Sequence, residues 1–309
     1  MTEVPTIGRM TYPAPMGGST AARATLIGLG AIGLWAGLAV LTVLTAGIPP
    51  FQLLGMSFGV AFLSGISLLA WRGRSALREL RQPIAPWLTA FVGIFGYHAL
   101  YYYALKAAPA AEANLIQYLW PLLIVLFAAL LPGQGLQARH VAGAALGLCG
   151  TALLVAGGGG TADAAAPVAG YAAALGCALL WSGYSVLNRR YAGTPSTMLV
   201  GVCGAVALGG FVLHLLVEAT VIPNLKQSLA AVMLGLGPTG LAFLAWDHAT
   251  KHGHIALLGA LSYLAPLFST ALLVIIGAAP ATSRLALCAL LIVGGAGLAA
   301  SAGWRKKSG

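Results

Sequence analysis

The chain alternates between long apolar runs and short breaks rich in Pro, Gly and charged residues. A helix that crosses a bilayer needs about 20 mostly apolar residues, and Pro, Gly and charge clusters mark its ends. The pattern therefore predicts ten membrane-spanning helices with short connections. The predicted spans are residues 24–45, 50–71, 86–106, 112–131, 138–156, 167–189, 196–217, 228–248, 254–276 and 284–303.

The composition excludes a soluble protein. Of the 309 residues, 59% are hydrophobic and only 7% are charged, and the mean hydropathy is +0.90. A soluble domain carries about 25% charged residues, and disordered chains are polar. We therefore predict an all-α integral membrane protein that has the lipid bilayer as a partner.

Lys and Arg are distributed unevenly between the two sides of the predicted bundle. One side holds both tails and the even-numbered loops, and 13 of the 16 basic residues fall there. The other side holds Lys106, Lys226 and Arg284. Because cytoplasmic loops carry an excess of Lys and Arg, both termini are predicted to be cytoplasmic. The net charge of +10 thus indicates orientation in a membrane and no nucleic-acid partner.

The chain contains an internal repeat at an offset of 145 residues. Residues 118–122 (YLWPL) fall on residues 263–267 (YLAPL), and Lys106 falls on Lys251. With a one-residue shift, residues 35–37 (WAG) meet residues 181–183 (WSG). Each half holds five spans, and because five is odd the second half enters the membrane inverted. Inverted repeats place the substrate site of many transporters between the two halves.

The repeat predicts the organisation of the whole chain. We expect two inverted five-helix repeats around a central cavity, at residues 24–160 and 161–304. A cytoplasmic tail precedes them at residues 1–23, and a basic cytoplasmic tail follows at residues 305–309.

Catalytic and metal-binding patterns are missing from the sequence. Of the six acidic residues, only Glu112 and Asp247 approach membrane depth, each near a predicted helix end. The chain has no HExxH or GxSxG motif, and its four cysteines stand singly in apolar runs. We therefore predict no enzymatic activity, no metal and no cofactor.

Aromatic and uncharged polar side chains lie deep inside several spans. An aromatic belt at the membrane boundary explains Trp71, Trp87 and Trp304, and it would also fit Tyr103 and Trp246. It does not explain the deeper residues, and polar groups facing lipid are costly. We predict that the deeper residues line the central cavity: Tyr97, His98, Tyr101, Asn114, Gln117, Tyr118, Trp120, Trp181, Tyr184, Asn188 and Tyr263.

Such a cavity suits a small molecule with a planar or apolar body. Tyr and Trp rings contribute about 0.5–1.5 kcal/mol each by stacking and attract cations. Asn114, Gln117 and Asn188 offer hydrogen bonds to a carboxylate. His98 has three open readings: hydrogen bonding to a neighbouring tyrosine or carbonyl, reversible protonation that couples transport to an ion gradient, or direct contact with the substrate.

Proline and glycine suggest where the helices move. Pro121 and Pro266 are matched by the repeat and are predicted to kink the fourth and ninth spans, which makes them hinge candidates. Six glycines would permit close sliding contacts between helices: Gly33, Gly37, Gly55, Gly59, Gly93 and Gly96. Static packing explains the same glycines equally well.

These motifs resemble the drug/metabolite transporter superfamily with its EamA-type repeats. The resemblance rests on ten spans, the Trp-x-Gly that opens each half and the Tyr-Leu-x-Pro-Leu of each fourth helix, and it covers nearly all of the chain after residue 24. Residues 97–101 and 117–121 are similar to the bacterial aromatic amino acid exporter branch in particular.

The resemblance implies a function and a site. It implies export of Phe, Tyr and Trp across the bacterial inner membrane, with other neutral amino acids and some cationic drugs tolerated. It also implies a cavity lined by Tyr97, His98, Tyr101, Trp120 and Trp181. Two alternatives stay open, which are a broad drug or metabolite exporter of the same fold and an uncoupled facilitator or channel. We expect a monomer to be the functional unit.

Overall fold

The computed structural model describes residues 18–108, 113, 116–131, 136–156, 168–275 and 282–301. Within these ranges the regular structure is entirely helical. The helices are α1 (Gly18–Ala36), α2 (Leu38–Leu44), α3 (Pro50–Trp71), α4 (Arg74–Arg78), α5 (Ile84–Phe91), α6 (Tyr97–Ala107), α7 (Trp120–Ala128), α8 (Ala138–Ala156), α9 (Val168–Leu187), α10 (Met198–Val217), α11 (Leu225–Leu236), α12 (Ala242–His252), α13 (Ile255–Leu261), α14 (Leu264–Ile275) and α15 (Ser283–Ser301).

Helices occupy all ten predicted spans. Among the described residues, six helical stretches are long and apolar enough to cross a membrane, and they coincide with the first three predicted spans and with the sixth to the eighth. Shorter helices lie in the fourth, fifth, ninth and tenth spans. The eighth span runs over Leu225–His252, so it is longer at both ends than the predicted 228–248.

Two spans contain π-helical turns. One turn, Val92–Gly96, joins α5 to α6 in the third span, and the other, Gly237–Leu241, joins α11 to α12 in the eighth. The two turns are separated by the offset of the sequence repeat. Single π turns within α-helices are rare and are frequently found at functional sites.

The fourth and ninth spans are broken helices. The ninth span ends α13 at Leu261 and starts α14 at Leu264, and the fourth has a turn at residues 118–119 before α7. Pro121 and Pro266 lie in the first turn of the second segment, where a helix tolerates proline because the missing N–H has no partner there. The kink predicted at each proline is therefore a break just before it.

Packing pairs every span with one from the other half. The second span packs on the seventh (α3 on α10), the fourth on the ninth (α7 on α13) and the fifth on the tenth (α8 on α15). The first packs on the eighth (α1 on α12) and, reciprocally, the third on the sixth (α6 on α9). A two-fold operation that exchanges the halves leaves this set of pairs unchanged.

Glycine permits close contacts between the paired helices at many positions. A Cβ on Gly143 would overlap the carbonyl oxygen of Gly295 in the interface of the fifth and tenth spans. A Cβ on Gly55 would lie 2.8 Å from the ring of Phe211 in the interface of the second and seventh. Gly33 and Gly59 have no such neighbour within 4 Å, so the close contacts predicted for these two glycines are not formed.

The two ends of the bundle differ in charge and in the loops they hold. We name the end with loops 72–83, 188–197 and 253–254 the basic end, and there Arg189 donates to the Gly253 carbonyl at 2.7 Å. The other end, the opposite end, holds loops 45–49 and 218–224. There the Glu218 carboxylate accepts the backbone N–H groups of Phe51 and Gln52, both at 3.1 Å.

Candidate substrate site

Four tryptophans and a phenylalanine meet between the two halves. The ring of Trp181 lies 5.6 Å from Trp35, 6.2 Å from Trp120, 6.1 Å from Trp246 and 5.6 Å from Phe243, measured between centroids. The side chains come from the first, fourth, sixth and eighth spans. We name these five residues the central aromatic cluster. All except Trp35 are buried.

The third span extends the cluster toward the opposite end. Tyr97, His98, Tyr101 and Tyr102 are half-buried side chains in the first two turns of α6. The rings of Tyr97 and Tyr101 stack nearly parallel, at 5.9 Å and 10°. Tyr97 also lies 5.8 Å from the ring of Trp181. We name these four residues the α6 face.

The amide of Gln117 fixes the Tyr97 hydroxyl. Gln117 is buried, and its Nε2 donates to Tyr97 Oη at 2.7 Å. This hydrogen bond uses a lone pair of the hydroxyl and leaves the O–H of Tyr97 to donate. A neutral donor thus stands beside a stacked pair of rings.

The π turns place backbone carbonyls against the aromatic side chains. The Ile94 carbonyl lies 2.7 Å from His98 Nδ1, and the Pro238 carbonyl accepts from Trp35 Nε1 at 3.0 Å. A carbonyl oxygen can only accept, so Nδ1 of His98 carries a proton. Of the three readings of His98, the structure contains the hydrogen bond to a carbonyl.

A buried ion pair adjoins the cluster on the side of the basic end. Lys251 Nζ lies 2.8 Å from Asp247 Oδ2, and both side chains are 0% exposed. Asn188 Nδ2 donates to Asp247 Oδ1 at 2.9 Å, and Tyr184 Oη lies 3.5 Å from the same oxygen. Lys251 also donates to the Thr194 carbonyl at 2.9 Å. Every charged group of the pair is hydrogen-bonded.

The repeat reveals an asymmetry between the two ends. The α6 face residues Tyr97, His98, Tyr101 and Tyr102 correspond, at the repeat offset, to Ala242, Phe243, Trp246 and Asp247. All four residues of the third span are half-buried, and all four counterparts in the eighth span are buried. The eighth span is therefore packed more tightly on the side of the basic end than the third span is on the side of the opposite end.

Six predicted lining residues come together around the cluster. They are Tyr97, His98, Tyr101, Gln117, Trp120 and Trp181. Tyr118 is half-buried in the break of the fourth span. Asn114 lies outside the described residues.

The other three predicted lining residues differ in their surroundings. Tyr184 is buried between the cluster and the ion pair, with its ring 5.4 Å from Trp181 and its hydroxyl 3.5 Å from Asp247 Oδ1. Asn188 is buried against Asp247 at the ion pair. Tyr263 is fully buried in a separate cluster, and its hydroxyl donates to the Tyr118 carbonyl at 3.2 Å. Its ring is so close to Gly147 that a Cβ there would come within 2.5 Å. The structure thus places Tyr263 in helix packing, away from the central aromatic cluster.

Several residues of the site were not predicted from the sequence. Trp246 is fully buried beside Trp181, so the boundary belt that would also have fitted it does not describe its position. Trp35 could have been found, because it is the repeat counterpart of Trp181. The ion pair also has a sequence signal, since residues four apart on a helix share a face. The predicted span ended at residue 248, however, which put Lys251 in a loop.

The site offers ring faces, one imidazole and neutral hydrogen-bonding groups. Tyr97, His98, Tyr101 and Gln117 contribute the polar atoms. In the ranges that the structure describes, no group of three or more His, Cys, Asp or Glu side chains is arranged to hold a metal ion. The arrangement can bind a flat, largely apolar molecule and give its polar atoms uncharged partners.

Comparison with known proteins assigns the family. Residues 22–156 and 168–301 each match the model of the EamA-like transporter family. The chain is 49% identical over 277 residues to an "Aromatic amino acid exporter YddG" of Ancylobacter novellus, covering 89% of this chain and 96% of that protein. It is 27% identical to the protein of the same name from Escherichia coli K12, covering 89% and 96%.

A solved crystal structure has the same fold. It superimposes with a TM-score of 0.87 at 47% identity, and the match covers 93% of this chain and 99% of that one. The superposition thus covers both halves of the chain and the arrangement of its helices. The chain belongs to the EamA-like transporter family.

Proposed function

We propose that this protein is an inner-membrane exporter of aromatic and other neutral amino acids that works by alternating access. The observation that carries the proposal is the contact between the central aromatic cluster and the uncharged α6 face, at the interface of two inverted halves. The names of the relatives from A. novellus and E. coli support the same substrate class.

The rings suggest how such a substrate binds. An aromatic side chain enters beside Tyr97 and Tyr101 and stacks toward Trp181. His98, Gln117 and Trp120 complete the pocket, with Asn114 and Tyr118 from the same fourth span. The O–H of Tyr97, which is not used in its bond with Gln117, donates to the substrate carboxylate.

The charge distribution supports an orientation. The basic end faces the cytoplasm, as Lys- and Arg-rich loops do, and both tails lie on that side. The half-buried α6 face then opens toward the outside of the cell, which makes the present conformation the one that releases substrate.

The two halves are the moving bodies of the cycle. Residues 24–160 and 161–304 rock against each other around the central aromatic cluster. The breaks before Pro121 and Pro266 act as hinges, since a broken helix bends without losing regular hydrogen bonds. One chain contains both halves, so a monomer suffices for transport.

Efflux of tryptophan from proteoliposomes that contain the full chain tests the proposal. We expect saturable efflux that external tryptophan accelerates by counterflow, which distinguishes a carrier from a channel. Efflux of a lipophilic cation without efflux of tryptophan would contradict the amino acid assignment. Efflux without counterflow would contradict alternating access.

A further inference from the structure

The ion pair of Asp247 and Lys251 costs free energy to bury, and helix packing does not require it. Desolvating a carboxylate and an ammonium offsets most of their attraction, so a buried pair adds little to stability. Ionisable side chains within membrane proteins face cavities or pathways and mark substrate routes. Asp247 and Lys251 are both 0% exposed in the eighth span.

The pair lies between the central aromatic cluster and the basic end. Tyr184 contacts both sites, because its ring is 5.4 Å from Trp181 and its hydroxyl is 3.5 Å from Asp247 Oδ1. On the other side, Lys251 bonds to the Thr194 carbonyl in the loop of the basic end. The ion pair therefore links the cluster to the closed end of the bundle.

The repeat indicates when the pair becomes accessible. Asp247 is the counterpart of Tyr102, which is half-buried on the α6 face. In an inverted repeat, the two halves exchange conformations when the protein opens to the other side. Asp247 then becomes half-buried, as Tyr102 is in the present conformation.

We propose that Asp247 and Lys251 form the first binding site for the amino acid when the basic end is open. The proposal rests on the function proposed above. The ammonium and the carboxylate of the pair are the same two groups that a zwitterionic amino acid carries. The ammonium of the substrate binds Asp247 Oδ2, and its carboxylate binds the Lys251 ammonium that this exchange releases.

The neighbouring groups suit this exchange of partners. Asn188 holds Asp247 Oδ1 at 2.9 Å, so the carboxylate keeps its position when Oδ2 changes partner. The Thr194 carbonyl holds the Lys251 ammonium at 2.9 Å. When the substrate is bound, no charge is left unpaired, because two ion pairs with the substrate replace the one between Asp247 and Lys251. A molecule that lacks either charged group leaves one partner uncompensated, so the site selects zwitterions.

The test measures the KM for tryptophan separately from each side of the membrane. Everted vesicles from bacteria that express the full chain present the basic end, and right-side-out vesicles present the opposite end. The neutral double variant Asp247→Asn with Lys251→Gln keeps the hydrogen bond and removes both charges. We expect its KM to rise about tenfold in everted vesicles, which corresponds to about 1.4 kcal/mol, and to stay unchanged in right-side-out vesicles.

Indole analogues test the chemistry of the site. Tryptamine lacks the carboxylate, and indole-3-propionate lacks the ammonium. In wild-type everted vesicles, each should compete with tryptophan at least about tenfold less well than unlabelled tryptophan does, since each leaves a buried charge unpaired. In the double variant the preference over indole-3-propionate should disappear, because this analogue keeps the carboxylate that Tyr97 binds. A preference over indole-3-propionate that persists in the double variant overturns the proposal.

Control variants separate substrate binding from a lock or a folding defect. Arg74→Gln removes an exposed charge at the same end and should leave both KM values unchanged. If the ion pair only held the basic end closed, the double variant would change the equilibrium between the two conformations and would shift both KM values. A shift of both KM values, or of neither, therefore overturns the proposal. If the double variant does not reach the membrane, the single variants Lys251→Arg and Asp247→Glu are tested instead. Each must raise the KM for tryptophan in everted vesicles and leave it unchanged in right-side-out vesicles.

The outcomes also separate this proposal from the proposed function. Wild-type vesicles that take up tryptophan, together with an unshifted KM in the variants, overturn only the site at Asp247 and Lys251. Wild-type vesicles that do not transport tryptophan overturn the proposed function, and this site falls with it.

Discussion

At the scale of single residues, two neighbouring tyrosines of α6 have different surroundings. Tyr101 is half-buried and stacks on Tyr97, whereas Tyr103 is 51% exposed on the outside of the bundle. We expect Tyr101→Ala to raise the KM for tryptophan about three- to tenfold, which matches the contribution of one aromatic pair. Tyr103→Ala is the matched control and should leave counterflow unchanged. Equal effects of the two substitutions would remove Tyr101 from the site.

The surroundings of His98 lead to a second expectation. Its Nδ1 donates to the Ile94 carbonyl at 2.7 Å, and its ring packs edge-on against Phe58 at 5.4 Å. A second proton, on Nε2, would place a charge among apolar rings, which is costly, so we expect an imposed pH gradient to leave tryptophan transport unchanged, both in the wild type and in His98→Gln. A gradient that drives accumulation in the wild type but not in the variant would identify His98 as a coupling residue.

Some residues of the site could be predicted from the sequence and others could not. The positions of the half-buried tyrosines followed from helical spacing and from the cost of polar groups in lipid. The ion pair of Asp247 and Lys251 did not, because helix ends can be placed only to within a few residues. A helix that continues to His252 brings Lys251 onto the face of Asp247.

At the scale of helices, the contact between the third and sixth spans is fixed by a glycine. A Cβ on Gly93 would overlap the Cβ of Tyr184, whereas Gly59 has no neighbour within 4 Å. We expect Gly93→Ala to destabilise the protein by about 1–3 kcal/mol, as overpacking does. Gly59→Ala should be neutral or slightly stabilising, since alanine favours helix. Thermal unfolding in detergent measures both, and equal melting temperatures would contradict the close contact.

Helix positions were predictable, and interruptions within helices were only partly so. Apolar runs located every span because a bilayer demands them, and the second and fifth spans were placed at residues 50–71 and 138–156, where α3 and α8 lie. Proline indicated where the fourth and ninth spans are broken. The π turns have no comparable signal, because their bonding depends on packing by distant side chains such as Trp35.

At the scale of the whole molecule, the asymmetry between the halves predicts one-sided access. His98 is half-buried and its counterpart Phe243 is buried. In a chain whose four cysteines are replaced by alanine, a membrane-impermeant thiol reagent should label His98→Cys from the opposite end. Phe243→Cys should be labelled much more slowly, because it becomes exposed only when the protein opens at the basic end, and excess tryptophan should slow labelling of His98→Cys. Equal labelling of the two positions would contradict a bundle closed on one side.

The paired π turns also bear on the gene duplication that produced the two halves. A π turn holds one residue more than the α-helical turn it replaces. The offset of 145 residues holds within the turns, between Val92–Gly96 and Gly237–Leu241, and it holds beyond them, between residues 118–122 and 263–267. The two π turns therefore occupy equivalent positions in the two halves, as inheritance from a common five-helix ancestor would require.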